Sequence, residues 1–145
     1  MAELAWRRIL CPVDFSKESR AALRVAIDLC RRFGASLTLL HVRERGDLGP
    51  TRAAPQDQEV GSLPEWKREV EGTGLAVAAE EIDGDPRLAI AERAGAEGFD
   101  LVVMGTHGRT GRERDLAGSV AESTVRRSRV PVLAVHADWP ALAGG

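Results

Sequence analysis

The chain has 145 residues, of which 43% are hydrophobic and 29% charged, and a formal net charge of −2. That length suits one domain, residues 1–145, with a buried core, and the composition excludes a disordered chain. No apolar run approaches the roughly 18 residues a membrane-spanning helix requires, and a slightly acidic chain lacks the strongly basic surface expected of a binder of phosphate backbones.

The N-terminal stretch MAELAWRRILCPVD has no ordered basic region, long apolar core and small-residue cleavage site, so a cytoplasmic location is expected. Within it, Trp6–Val13 reads as a short buried strand. Ser16, or its close rival Ser19, then caps a helix over KESRAALRVAIDLCRRF. Ala22, Ala26, Leu29 and Phe33 form one apolar stripe at helical spacing, widened by Leu23, Ile27 and Cys30. Gly34 is the expected C-terminal cap, and Ser36–Val42 reads as a second buried strand, which completes a βαβ unit. Cys11 and Cys30 lack the spacing of a metal site and are expected to be buried thiols. The arginine pairs at 7–8, 31–32 and 126–127 suit solvated faces and helix ends rather than a nucleic-acid surface.

From Arg43 to Leu63 periodicity fails among glycines, prolines and charges, as in a long mobile loop. Pro64–Glu71 forms a short helix, and Leu75–Ile82 a third strand. Asp85 caps a helix with Pro86 at its first position, running through Arg87–Ala96. Leu101–Met104 is the fourth strand. After a glycine-rich stretch, Ser119-Val-Ala-Glu122 matches a capping box for a last helix reaching about Ser128. Val130–Val135 is the fifth strand, and residues 138–145 form a tail. Pro131 removes a ladder donor, so this strand is expected at a sheet edge or in an unconventional pairing. Alternating strands and helices imply an α/β fold, a parallel sheet covered on both faces.

In such sheets ligands bind beyond the carboxyl ends of the strands. Two segments fit that location: Pro12-Val13-Asp14 after the first strand, and the glycine-rich stretch after the fourth. A helix N-terminus at Gly118–Ser119 offers unpaired N–H groups and a partial positive charge to an anion. Glycines at 105, 108 and 118 leave backbone amides bare enough to close on phosphate oxygens, with adenine or ribose against the first two strands near Asp14 and Val42. Neither lysine follows a glycine, so a Walker A motif is absent, as is G-x-G-x-x-G. What remains is G-x2-G-x9-G-S at Gly105, Gly108, Gly118 and Ser119, a spacing that also fits a glycine-rich loop without ligand.

That pattern, the phrase VMGTHGRTG and the N-terminal ILCPVDFSKESRAAL together resemble the universal stress protein family in its ATP-binding branch. The resemblance runs from Arg8 to Val135 and weakens between Arg43 and Gly74. It implies a five-stranded parallel sheet of order 3-2-1-4-5, in a Rossmann-like fold, and a homodimer made through Val130–Val135. It also implies an adenosine site at Pro12, Val13, Asp14 and the Val42 backbone. Ribose and phosphates would meet Met104, Gly105, Thr106, His107, Gly108, Arg109, Gly118, Ser119 and Val120. A magnesium ion would be held mainly by the nucleotide's own oxygens, not by protein ligands.

Two departures from the family stand out. Arg112-Glu113-Arg114-Asp115 replaces a mainly apolar stretch; its carboxylates either repel phosphate or pair with the neighbouring arginines on the surface. The second helix is short and follows a proline-bearing loop. His107 titrates near neutrality, yet no partner orients it, so a main-chain role is the plainer reading and slow ATP turnover the most that is expected. His41 and His136 read as structural. The resulting expectation is a dimeric nucleotide-dependent stress-response protein, with a nucleotide-free scaffold of the same fold as the alternative; a switch would require different nucleotide affinities in two states.

Overall fold

The computed structural model describes residues 5–44, 61–106 and 119–139. Five strands form one sheet: β1 (Arg8–Pro12), β2 (Ser36–Glu44), β3 (Val77–Gly84), β4 (Leu101–Thr106) and β5 (Val132–His136). Their spatial order is β3-β2-β1-β4-β5, and every pairing is parallel. The chain therefore winds outward from β1 to β3 and then restarts on the other side of β1 with β4. The point where the direction reverses lies between β1 and β4, and a crevice is expected at their carboxyl ends.

Among the described residues four helices cover the two faces: α1 (Lys17–Phe33), α2 (Leu63–Glu71), α3 (Pro86–Ala96) and α4 (Ser119–Arg127). On one face Ala22, Ala26 and Cys30 of α1 and Trp66 and Val70 of α2 pack against Ile9, Cys11, Leu37, Leu39, Leu101 and Val103. On the other, Ile90 and Ala94 of α3 and Ala121 of α4 pack against Leu10, Leu40, Val102 and Met104. The strand residues alternate between the two clusters because successive side chains leave opposite faces of a strand. Burial on both faces explains why β1, β2 and β4 read as continuous apolar runs.

Local signals set the helix ends. Ser16 is the N-cap of α1, and Ser19 completes the capping box, so the two serines expected as rivals act together. Gly34 closes α1 at φ +69, a left-handed conformation that costs glycine little. Asp85 caps α3, with Pro86 in its first turn. A second capping box, Ser62 with Glu65, starts α2 one residue before the expected Pro64. Two expectations shift. Phe33 belongs to the α1 stripe yet is 44% exposed, resting on Trp6 just ahead of β1 at 5.3 Å between ring centroids. Ser119 lies within α4 rather than ahead of it, and Glu122 pairs with Arg126 one turn on, at 3.1 Å.

Strand bounds move by one or two residues. β2 continues to Glu44 and β3 to Gly84, because eight consecutive residue pairs join them, among them His41 with Glu81 and Arg43 with Asp83. Both side-chain pairs are 2.9 Å apart and extend the ladder beyond the apolar residues that signalled it. β5 begins at Val132, bonded to β4 alone, so it is an edge as Pro131 implied; the Pro131 carbonyl still accepts from the Val102 amide at 2.9 Å. Cys11 and Cys30 are free and buried, and burial pushes the Cys30 thiol up to about 11 and the Cys11 thiol higher still. Among the described residues no helix is long and apolar enough to cross a membrane.

Candidate functional site

A cleft of about 160 Å³ opens at the carboxyl ends of β1, β2 and β4, at the crossover point of the sheet. Its walls come from five elements. The turn after β1 contributes Pro12, Val13 and Asp14; α1 contributes Glu18 and Ser19 next to its cap Ser16. Leu40, Val42 and Glu44 come from β2, Pro86 and Ile90 from α3, Met104, Gly105 and Thr106 from β4, and Val120 and Ala121 from the first turn of α4.

The turn after β1 is held at several points. The Val13 amide donates to the Leu40 carbonyl at 2.8 Å, which extends the β1–β2 ladder past the strand end. The Asp14 amide donates to Ser19 Oγ at 3.3 Å. Asp14 Oδ1 accepts from the Ser16 amide at 3.0 Å and from the Ser16 hydroxyl. Within α1 the Ser19 amide donates to Ser16 Oγ at 3.1 Å, and the Asp14 carboxylate, bonded to the cap residue Ser16, stands at the helix's positive end. Two other helices bring their first turns to the cleft, α3 through Pro86 and α4 through Val120 and Ala121.

On β2 the lining residues are 40, 42 and 44, alternate positions on one face of the strand. With Ile90 and Met104 they form an apolar floor that ends in the Glu44 carboxylate. The charged side chains lining the described part of the cleft are all acidic: Asp14, Glu18 and Glu44. Such a wall accepts hydrogen bonds from hydroxyl and amino groups and repels a bare anion.

Of the residues singled out from sequence, Pro12, Val13, Asp14, Val42, Met104, Gly105, Thr106 and Val120 all line this one cleft. Ser119 begins α4, beside Val120. His107, Gly108, Arg109 and Gly118 lie outside the described residues. The reading of Gly105 requires a correction. Its bare backbone is taken up within the fold: a Cβ there would stand 2.5 Å from the carbonyl carbon and oxygen of Glu18. Glycine at 105 lets the first turn of α1 lie directly on β4, whatever else approaches. Sequence reasoning passed over Ser16 and Ser19 as cleft residues because their capping pattern already accounted for them. It passed over Leu40 and Glu44, although their two-residue spacing from Val42 was a usable signal.

Among known proteins, the sequence profile of the universal stress protein family matches residues 5–136. The chain belongs to the universal stress protein family. Universal stress protein MJ0531 of Methanocaldococcus jannaschii is 33% identical over 145 residues, an alignment spanning 92% of this chain and 84% of the relative. The solved structure of MJ0577, a universal stress protein of the same organism, is 27% identical with a TM-score of 0.70 and covers 90% of this chain and 96% of its own. A universal stress protein solved in complex with cAMP is 26% identical, with a TM-score of 0.70, covering 92% of this chain and 99% of its own. The universal stress protein fold thus accounts for both the sheet order and the position of the cleft.

Proposed function

We propose that this universal stress protein binds ATP in the cleft at the ends of β1, β2 and β4, as a single domain that works as a nucleotide-dependent regulatory homodimer in the cytoplasm. The observation that carries the reading is the convergence on one cleft of Pro12, Val13, Asp14, Met104, Gly105, Thr106 and Val120, named from two distant sequence motifs, with Val42 of the second strand. A relative of similar fold holds cAMP, which supports an adenine nucleotide as the ligand class.

The chemistry of the walls divides the ligand. An adenine ring lies on Leu40, Val42, Ile90 and Met104, and the ribose hydroxyls donate to Asp14. The acidic described wall suits this uncharged part of the nucleotide. The phosphates go to the N-terminus of α4, where the helix dipole is favourable, and to the chain before it, whose sequence carries His107, Gly108, Arg109 and Gly118. Magnesium would be held mainly by the nucleotide's own oxygens, where it would offset phosphate charge. Hydrolysis of the bound nucleotide is slow at most. The dimer forms through β5, an unpaired edge that leaves Leu133 39% exposed.

Equilibrium dialysis against labelled ATP with magnesium tests the reading. One nucleotide retained per chain at saturation is the expected result. No retention at millimolar ATP would instead favour the nucleotide-free scaffold, a second reading that the exclusively acidic charge on the described wall supports.

A further inference from the structure

The turn that carries Asp14 faces two ways. Asp14 and Ser16 line the cleft, whereas Phe15 between them packs with the α1–α2 cluster on the other face of the sheet. The Phe15 backbone has φ +66, and it is the one non-glycine residue with positive φ among the described residues. A side chain in this region is strained by the contact between its Cβ and the backbone, so such a conformation persists only when its surroundings impose it. The surroundings here are aromatic. The Phe15 ring lies 4.9 Å from the His41 ring and meets the Trp66 indole edge-on, at 5.2 Å and 86°. Both neighbours are themselves fixed. His41 Nδ1 is 2.9 Å from Glu81 Oε2, and Trp66 is buried with the Arg20 guanidinium 4.0 Å above its ring.

We propose that Phe15 is the positioning residue for Asp14: its ring, wedged between His41 and Trp66, holds the backbone in the left-handed conformation that aims the Asp14 carboxylate into the cleft. Without the wedge the φ angle relaxes to a negative value, the Asp14–Ser16 hydrogen bonds open, and the carboxylate leaves the wall. The part of this inference that concerns ligand affinity rests on the nucleotide reading above; the part that concerns the turn does not.

The test has two readouts on six proteins: wild type, Phe15→Gly, Phe15→Ala, Phe15→Tyr, Asp14→Ala and the double variant of Phe15→Gly with Asp14→Ala. Glycine keeps positive φ accessible but removes the ring, alanine removes the ring and keeps the strain, and tyrosine keeps the ring. Without nucleotide, amide hydrogen exchange at Ser16 should quicken about tenfold in the glycine and alanine variants and stay near wild type in the tyrosine variant, with the amides of Ala26 and Cys30 in α1 as an internal control for folding. With ATP, Phe15→Gly should weaken binding about tenfold in the wild-type background and have little further effect beside Asp14→Ala, a non-additivity that a merely structural role would not produce. Unchanged Ser16 exchange in both ring-deleted variants would overturn the proposal, as would additive losses with Asp14→Ala. If wild-type protein binds no ATP, the nucleotide reading fails alone, and the exchange result still decides the role of Phe15.

Discussion

At the scale of single residues, Gly105 and Asp14 show how one motif can serve the fold and the cleft together. The first turn of α1 rests so closely on β4 that a methyl at 105 would collide with the Glu18 backbone, which cannot swing aside as a side-chain tip would. Gly105→Ala should therefore cost about 1–3 kcal/mol of stability, the usual range for overpacking a filled contact. Urea denaturation of nucleotide-free protein checks this, and a midpoint equal to wild type would mean that α1 yields at no cost. Residues whose role is local were legible in the sequence: Ser16, Gly34 and Asp85 cap helices because of what their own side chains or backbones do. The purpose of Gly105 was not, because Glu18 is brought against it only by the fold. For the same reason the sequence could place Asp14 after a strand but could not foresee that Phe15, its neighbour, adopts a positive φ.

Among the elements, β2 and β3 show the limit of reading by hydrophobicity. Their apolar cores were evident, but two of the later pairs, His41 with Glu81 and Arg43 with Asp83, are polar and exposed to differing degrees, and periodicity is silent there. That extension matters for the site, since it brings Glu44 to the lip of the cleft. β5 was more legible. Pro131 cannot donate to a ladder, and the strand it precedes lies at the edge. Its outward neighbour is open along the backbone, with the apolar Leu133 beside it. A second copy of the chain pairing there would make Leu133 central to the contact. Leu133→Lys, a charge of the kind that guards exposed edges, should convert a dimer into a monomer in sedimentation equilibrium. An undiminished dimer would move the interface elsewhere, and a monomeric wild type would remove it.

For the whole molecule, the decisive fact is where the winding reverses. β1 and β4 are neighbours in the sheet but are separated in sequence by β2, β3 and, among the described residues, three helices, and the helices that follow them, α1 and α4, pack on opposite faces of the sheet. That arrangement alone opens a cleft at this spot and unites motifs from the two ends of the chain. The strand order could be read from the family likeness but not from periodicity, which finds strands without saying which are neighbours. The cleft's chemistry then argues for a ligand that is neutral and flat at one end and anionic at the other: three carboxylates and an apolar floor on the described wall, with a helix N-terminus at its margin. A crystal structure of the chain grown with ATP and magnesium tests this most directly. The account predicts adenosine between the ends of β1 and β2, with its ribose at Asp14 and its phosphates at the start of α4. A nucleotide seated anywhere else, or a cleft closed by the protein's own side chains at saturating ATP, would contradict it.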